Sequence, residues 1–124
     1  MKERLNYYII GVDHGYRNIK TANCCFPTGV VKCETEPIFG DVLKWNGAYY
    51  SIGAGHKEFL ADKFADEDYY VLTLAAIANE LKKDNITDAS VMIAAGLPLT
   101  WVSRQKEKFR KYLLQNDEVT FTFK

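Results

Sequence analysis

The fold is decided by residues 8–20, YIIGVDHGYRNIK, in which an apolar run leads into a polar corner. The run Tyr7–Asp13 is short and rich in β-branched residues, so it predicts a buried strand. Residues 14–17 form a tight connection, and Asn18–Phe26 predicts a second strand. Because the connection is so short, we expect the two strands to pair as an antiparallel hairpin.

The polar corner brings an acid, a glycine and a lysine close together in the sequence. A turn between two strands can aim several backbone N–H groups at one point, and glycine lets a ligand approach the backbone. Lys20 adds a cation suited to phosphate oxygens, and Asp13 adds a hard oxygen suited to Mg²⁺ through bound water. The residues alone leave two interpretations open: a site for a metal-bound polyphosphate, or a plain hairpin with a surface lysine.

Further strands and two helices follow this hairpin. Pro27–Gly29 breaks it, and residues 30–40 lack a regular pattern. Asn46-Gly47 favours a type I′ turn between two strands, which Gly53–Gly55 ends, and the continuous apolar run at 90–95 is typical of a strand buried on both faces. The later predicted elements are strands Val42–Trp45, Ala48–Ile52, Ser90–Ala95 and Val119–Phe123, and helices from about Asp66 to Lys83 and from about Thr100 to Gln115. This order predicts an α/β domain with a mixed β-sheet and helices.

The composition is that of one globular domain. The chain has 124 residues, 48% of them apolar and 26% charged. Sixteen basic residues balance sixteen acidic ones, which argues against a general nucleic-acid binder. The sequence contains neither an apolar run long enough to span a membrane nor a secretory signal, so we expect a cytoplasmic protein.

The cysteines and histidines give little sign of a metal site. Cys24, Cys25 and Cys33 lack C-x-x-C spacing, so ordinary reduced thiols are expected, with Cys24 and Cys25 on opposite faces of a strand. His14 and His56 have no partner four residues away and are expected in surface or turn positions. His14 is the better candidate for a functional role because it adjoins the corner.

A basic stretch marks the second predicted helix. Arg104, Lys108 and Lys111 share one helical face. A solvated face is the favoured interpretation. A contact with a filament neighbour or partner protein comes next, and a DNA contact last. The full stretch is Arg104, Lys106, Lys108, Arg110 and Lys111.

Two further motifs favour ordinary structure. Gly53–Gly55 is a lone G-x-G that lacks the rest of a nucleotide-binding pattern, so it indicates the exit of the hairpin. Tyr69, Tyr70 and Trp101 are expected to pack in or beside the core rather than stack on a ligand.

Residues 9–20 resemble the first phosphate motif of the actin/heat-shock-chaperone/sugar-kinase ATPase superfamily. The match is best to the ParM/StbA type of plasmid-segregation actin, whose motif has the form D-x-G-x-x-N-x-K. Asp13, Gly15, Asn18 and Lys20 occupy its positions. The other segments that resemble this family are 35–39 (TEPIF), 53–59 (GAGHKEF), 66–70 (DEDYY) and 94–101 (AAGLPLTW), continuing to Arg104-Gln105 and Phe109-Arg110. The ordered set covers nearly the whole chain.

The resemblance implies an RNase-H-like fold, with a nucleotide held between two such domains. Asp13 would position Mg²⁺ through water, and Lys20 would hold the β- and γ-phosphates of ATP or GTP. The backbone N–H groups that would hold them too belong to Gly15, Tyr16, Arg17 and Asn18. His14 occupies a variable position. Tyr16 and Arg17 are bulkier than the residues often found there, so they would either crowd the phosphates or, for Arg17, contact them.

The function implied is that of a filament-forming ATPase in plasmid partition, which contacts itself and a DNA-binding adaptor protein, without direct contact to nucleic acid or membrane. The second phosphate motif, the adenosine motif and the residue that orients the attacking water are expected beyond residue 124. Residues 1–124 would then be an incomplete N-terminal domain without catalytic residues. We expect such a chain to have negligible ATPase activity and to bind nucleotide weakly, because phosphoryl transfer depends on positioning from both sides.

Two alternatives remain. One is a non-catalytic self-associating module of actin-like fold, either a dimer or domain-swapped, because the strand Val119–Phe123 would end without a partner. The other is an ATPase domain of sugar-kinase or chaperone type, which shares the first motif. The lack of a sugar-binding signature and the further segments of resemblance weigh against it.

Overall fold

A computed structural model of the chain describes residues 7–15, 17–56, 67–96 and 103–124, without the side chains of Tyr7 and His56. The strands and helices follow one another in much the order that the sequence predicts. The elements are β1 (Tyr7–His14), β2 (Asn18–Lys20), β3 (Cys25–Pro27), β4 (Gly29–Cys33), β5 (Asp41–Trp45), β6 (Ala48–His56), α1 (Asp68–Lys83), β7 (Ser90–Gly96), α2 (Ser103–Leu113) and β8 (Thr122–Phe123).

The first sheet has the strand order β3-β2-β1-β7. Strands β1 and β7 run parallel, while β1–β2 and β2–β3 are antiparallel, so the expected mixed sheet is confirmed. The single strand expected over Asn18–Phe26 is wrong. It divides into β2 and β3 because Thr21 N–H donates to the Cys24 carbonyl (2.8 Å) and closes a turn between them.

The second sheet is antiparallel, with the order β4-β6-β5-β8. Positive φ angles at Asn46 (53°) and Gly47 (78°) confirm the hairpin turn between β5 and β6. Two expectations are wrong here. Residues 29–33 form strand β4, and β6 continues through Gly53–Gly55 to His56. Both are held by pairing with a distant strand, which the local sequence pattern does not reveal.

Helix α1 lies where both sheets and α2 meet. The helical spacing of Tyr70, Leu74, Ile77, Ala78 and Leu81 in the sequence predicts a stripe that faces the core. The stripe is confirmed at Tyr70, Leu74 and Ile77, but every residue of 69–77 is buried. A helix buried all round needs neighbours on more than one side, and here β1, β2, β4, β6 and α2 supply them. The helix ends as predicted, with Asn85 in the left-handed region (φ 57°).

The beginning of α1 is capped by a residue distant in sequence. Glu67, at the N-cap, makes no side-chain capping hydrogen bond to the helix. Instead, Tyr70 N–H in the first turn donates to the hydroxyl of Tyr112 on α2 (2.7 Å). Asn116 in turn donates from Nδ2 to the Tyr70 hydroxyl (2.9 Å). The N-terminus of α1 is therefore completed by the segment around α2.

Strand β7 is an edge strand in the described part of the chain, and the expectation that both its faces are buried is wrong. Val91 and Ile93 are half-buried, whereas Met92 is exposed. Its outer face is uncovered by any described element. In the sequence, Val102, Phe109, Tyr112 and Leu113 are expected on one side of the second helix. Helix α2 buries Phe109 and Leu113, which confirms that side, and it ends two residues before the expected Gln115. Val102 and the expected start near Thr100 lie outside the described residues.

The end of the chain shows the predicted alternation in burial over residues 119–123, but only Thr122–Phe123 pair as strand β8. The partner is β5, and Lys124 extends the pairing by exchanging backbone hydrogen bonds with Val42 (3.0 and 3.1 Å). The expectation that this strand lacks a partner is therefore wrong.

Candidate functional site

The corner between β1 and β2 places Asp13 and Lys20 opposite each other as direct cross-strand partners. Opposed residues of an antiparallel pair point to the same face of a sheet. Val12 and His14 are buried, so Asp13 between them faces outward, and Lys20 beside the buried Ile19 does the same. The structure thus brings together the two charged residues that the sequence singled out.

An open hollow of about 350 Å³ lies beside this pair. Gly96 of β7 is the parallel neighbour of Asp13. A methyl group added at Gly96 would lie in van der Waals contact with the Asp13 carboxylate, at 3.5 Å, so this position adjoins the acid directly. The lining residues are Gly11, Val12, Asp13, Lys20, Thr21, Ala94 and Gly96. Sequence reasoning missed the contribution of β7, because only the sheet register brings it next to Asp13.

The donor set fits a magnesium ion bound mainly through water. Asp13 is the one carboxylate in this lining. Mg²⁺ usually keeps several waters and is bound by one or two carboxylates together with substrate phosphates. A single exposed Asp beside an open hollow is consistent with that pattern, whereas an all-protein metal cage would need more ligands.

The turn between β1 and β2 depends on Gly15. Its N–H donates to the Asn18 carbonyl (3.1 Å). A Cβ at Gly15 would lie 2.6 Å from the same carbonyl oxygen, a distance that the turn cannot accommodate unchanged. Arg17 is exposed and Asn18 is half-buried. Tyr16, the remaining predicted phosphate-binding position, lies outside the described residues.

Thr28 holds this turn from the protein side. The Thr28 side chain is fully buried, and its hydroxyl donates to the Gly15 carbonyl (2.9 Å). The Thr28 N–H donates to the Arg17 carbonyl (2.8 Å). In a trans peptide the N–H points opposite to the C=O, so the N–H of Asn18 is directed away from Thr28. The Gly15 N–H is engaged by the Asn18 carbonyl, and Gly15, Arg17 and Asn18 are not among the residues that line the hollow. Sequence reasoning missed the role of Thr28, because this residue sits in a segment that predicts only the end of the hairpin.

His14 was expected in a surface or turn position near a nucleotide, and this expectation is wrong. The ring is buried on the face opposite to Asp13. The Thr73 hydroxyl donates to the Tyr69 carbonyl (2.7 Å), so it accepts from His14 Nε2–H (2.8 Å). Phe109 of α2 meets the ring edge-on at 5.1 Å. His14 therefore anchors the end of β1 to both helices, which fixes the outward direction of its neighbour Asp13.

Glu80 of α1 holds the turn between β2 and β3. Its carboxylate accepts hydrogen bonds from the Thr21 hydroxyl (2.7 Å), from Asn23 N–H (3.0 Å) and from Asn23 Nδ2 (2.8 Å). Burial alone would raise the pKa of Glu80, but these hydrogen bonds outweigh burial and hold the pKa below its usual value. Because Thr21 follows Lys20 and lines the hollow, its hydrogen bond to Glu80 helps to hold this side of the site in place.

Other predicted features have ordinary positions. Tyr69 and Tyr70 are buried, which confirms core packing, while Trp101 lies outside the described residues. All three cysteines are free thiols. Cys25 is exposed and Cys24 is half-buried, as expected for opposite faces, and burial raises the pKa of the Cys24 thiol. Within the described helices, none is long and apolar enough to cross a membrane.

The comparison with protein families gives the decisive observation. Residues 11–124 match the family described as the N-terminal domain of actin-like proteins. The chain belongs to this family. The fold agrees with that assignment, because the search of solved structures finds the crystal structure of apo pSK41 ParM protein with a TM-score of 0.69. At 16% identity, this second match concerns the fold.

The coverage of the two chains differs. The match covers 95% of this chain but 44% of the ParM chain, so the chain spans less than half of the length of that relative. A comparison with curated protein sequences gives no significant match. The actin-like fold is thus established for this chain.

Proposed function

We propose that this actin-like domain carries the first phosphate-binding corner of a filament-forming ATPase that acts in plasmid partition in the cytoplasm. The observation that carries the proposal is the pairing of Asp13 with Lys20 on one exposed face, beside a glycine-lined hollow. Lys20 would contact the β- and γ-phosphates of ATP or GTP, and Asp13 would hold the water shell of Mg²⁺.

The backbone supports the same assignment. The two hydrogen bonds from Thr28 hold the Gly15 and Arg17 carbonyls toward the protein, and the N–H of Asn18 lies on the opposite side of its peptide, where it would be available to an anion. The hollow is at the small end of the size range of ligand sites, so it suits phosphates and a metal ion rather than a whole nucleotide. The adenosine part would need a second surface, and we therefore expect this chain alone to bind nucleotide weakly and to hydrolyse it negligibly.

Amide-resolved NMR tests the binding directly, because it detects weak ligands. Titration with Mg-ATP or Mg-GTP should shift the signals of residues 13–20 and of Gly96 first. Asp13→Asn and Lys20→Met should abolish these shifts. Lys82→Met, which removes an exposed lysine at the end of α1, serves as the control and should leave them intact. Shifts that centre elsewhere, or equal losses in the Lys82 variant, would overturn the proposal.

A phosphate-release assay tests the expected lack of turnover. Negligible release by this chain is the expected result, and turnover comparable to that of a complete actin-like ATPase would contradict the proposed division of the site. In the complete protein, filament growth would move DNA through an adaptor protein, without direct contact between this domain and DNA.

The open edge of β7 favours a second candidate function, a non-catalytic self-associating module. This strand, SVMIAAG, has no charged residue and no proline, and such exposed edges pair readily with another chain. Light scattering with and without Mg-ATP separates the candidates. A polymer that requires nucleotide supports the ATPase, whereas a dimer that forms regardless of nucleotide supports the module.

A further inference from the structure

The loop between β4 and β5 carries an unusual apolar tip. Ile38 is 88% exposed and Phe39 is 86% exposed, more than the other large apolar side chains in the described part of the chain. Two large apolar residues side by side at a loop tip are costly in water unless they bind something. Acidic residues surround this tip, which we call the acidic tip: Glu34, Glu36 and Asp41, all exposed.

Helix α2 presents a surface of the opposite character. It buries Phe109 and Leu113 against the domain and leaves most of its other side chains exposed. Leu114, just past its end, is also exposed and lies one helical turn beyond Arg110 and Lys111. Five basic side chains and one acidic side chain occupy this surface, which we call the basic face: Arg104, Lys106, Glu107, Lys108, Arg110 and Lys111.

We propose that the acidic tip of one copy docks on the basic face of a second copy of this chain. Ile38 and Phe39 would cover Leu114, and the acids around the tip would meet the cations around Leu114. An apolar centre with a rim of opposite charges is the usual arrangement of a specific interface. This contact deepens the proposed function, and rests on it only for the idea that the contact builds a filament.

The charges favour this pairing over the other exposed apolar surface. Ile9 and Met92 are neighbours on the outer face of the first sheet, but that face carries one acid and one lysine at its Asp13 end. That face therefore has no net charge that would attract the acidic tip. On the basic face, by contrast, Arg104, Lys108 and Lys111 make no ion pair with any described residue, and the acid Glu107 is engaged with Arg110 (3.4 Å).

Two of the three acids of the tip are also available for a partner. Glu36 is held by Lys124 (3.1 Å), while Glu34 and Asp41 form no ion pair within the described residues. Because the two surfaces differ, each copy carries one donor and one acceptor surface. Such a head-to-tail contact continues from copy to copy and generates a ring or a filament.

Sedimentation velocity of the full 124-residue chain, without nucleotide, is the first test. Phe39→Ser should raise the dissociation constant for self-association by about tenfold or more, as for a central interface residue. Met92→Ser is the matched control, since it also removes an exposed apolar side chain, and it should leave the constant unchanged. An equal weakening of self-association in both variants, or no weakening with Phe39→Ser, would overturn the proposal. Unchanged thermal unfolding of both variants confirms that they fold.

A charge exchange tests the partner surface. Glu34→Lys and Lys111→Glu should each weaken association, and the two together in one chain should restore part of it. Failure of the double variant to recover, with each single variant weakened, would overturn the assignment of these partners.

A mixing experiment tests the head-to-tail geometry. Phe39→Ser removes the tip and Leu114→Ser removes its receptor, so neither chain should associate alone, whereas an equimolar mixture should form a dimer that grows no further. Growth of either variant alone would contradict the contact. Mg-ATP titration of Phe39→Ser by NMR separates the two proposals, because residues 13–20 should still shift if only the contact is lost.

Discussion

The two faces of strand β1 have opposite environments. Ile10, Val12 and His14 point inward and are buried against the helices, whereas Asp13 points outward beside an open hollow. Stability and the candidate chemistry therefore alternate residue by residue along one strand. Substitutions at adjacent residues should therefore have separable effects on stability and on ligand binding. The predictions below test how far that separation extends.

The largest effect is expected from the neighbouring pair Ile19 and Lys20 on β2. Ile19→Ala empties a fully buried position and should lower the free energy of unfolding by about 2–5 kcal/mol. Lys20→Ala should change it by less than about 0.5 kcal/mol, because this side chain is exposed. Urea denaturation measures both values. A Lys20→Ala variant as unstable as Ile19→Ala would show that the two faces are not separable.

Gly15→Ala tests the turn that joins the two faces. Its Cβ would lie 2.6 Å from the Asn18 carbonyl oxygen, so the turn must shift. We expect a loss of about 1–3 kcal/mol in the free energy of unfolding together with loss of Mg-ATP shifts at residues 13–20. Gly11→Ala is the control for the stability measurement alone, because its Cβ would have ordinary contacts only, the nearest at 3.9 Å, whereas Gly11 itself lines the hollow. Equal stability of the Gly15 variant and the original chain would contradict the tight turn.

Thr28→Val sharpens the comparison further, since it removes one hydrogen bond while keeping the side-chain shape. The Gly15 carbonyl would lose its hydroxyl donor at a cost of about 1–2 kcal/mol. Hydrogen exchange should accelerate at Gly15, whose N–H donates to the Asn18 carbonyl, and this reports loosening of the turn rather than general unfolding. Thr28→Ser restores the donor and should recover slow exchange. Fast exchange in both variants would show that the hydroxyl does not hold the turn.

Glu80→Gln should have the smallest effect, and one that depends on pH. The pKa of Glu80 is lower in the folded chain than its ordinary value of 4.5, so the ionised carboxylate stabilises the fold above that value. This contribution is lost as the pH falls through the folded pKa. The original chain should therefore exceed Glu80→Gln in stability near neutral pH, and the difference should shrink in acid. A difference that is constant with pH would contradict the role of the charge.

Local patterns predicted the parts of the fold that local chemistry controls. The Asn46-Gly47 turn, the α1 stripe and the mixed α/β order are confirmed because turn geometry and helical periodicity act over a few residues. Strand β4 and the continuation of β6 were missed because distant pairing stabilises them. Burial of β7 was overestimated, since an apolar run shows what a strand tolerates and not which element covers it.

The candidate site likewise has residues that local sequence predicts and residues that only the tertiary fold reveals. Asp13 and Lys20 were predicted to share a hollow because hairpin register follows from a short connection. Thr28, Gly96 and Glu80 were missed, because each reaches the corner from another element through the tertiary fold. His14 was misplaced for a related reason. Its buried hydrogen bond with Thr73 spans 59 positions, and no pattern near His14 indicates it.

The distant cap of α1 has a consequence for the order of events during synthesis. Tyr70 leaves the ribosome 42 residues before Tyr112, whose hydroxyl completes the first turn of the helix. At roughly 5–20 residues per second, that interval lasts about 2–8 seconds. Throughout it, the longest helix of the described chain would lack the hydroxyl that completes its first turn. A translational pause before residue 112 would prolong this vulnerable period and expose the helix to chaperones or proteases.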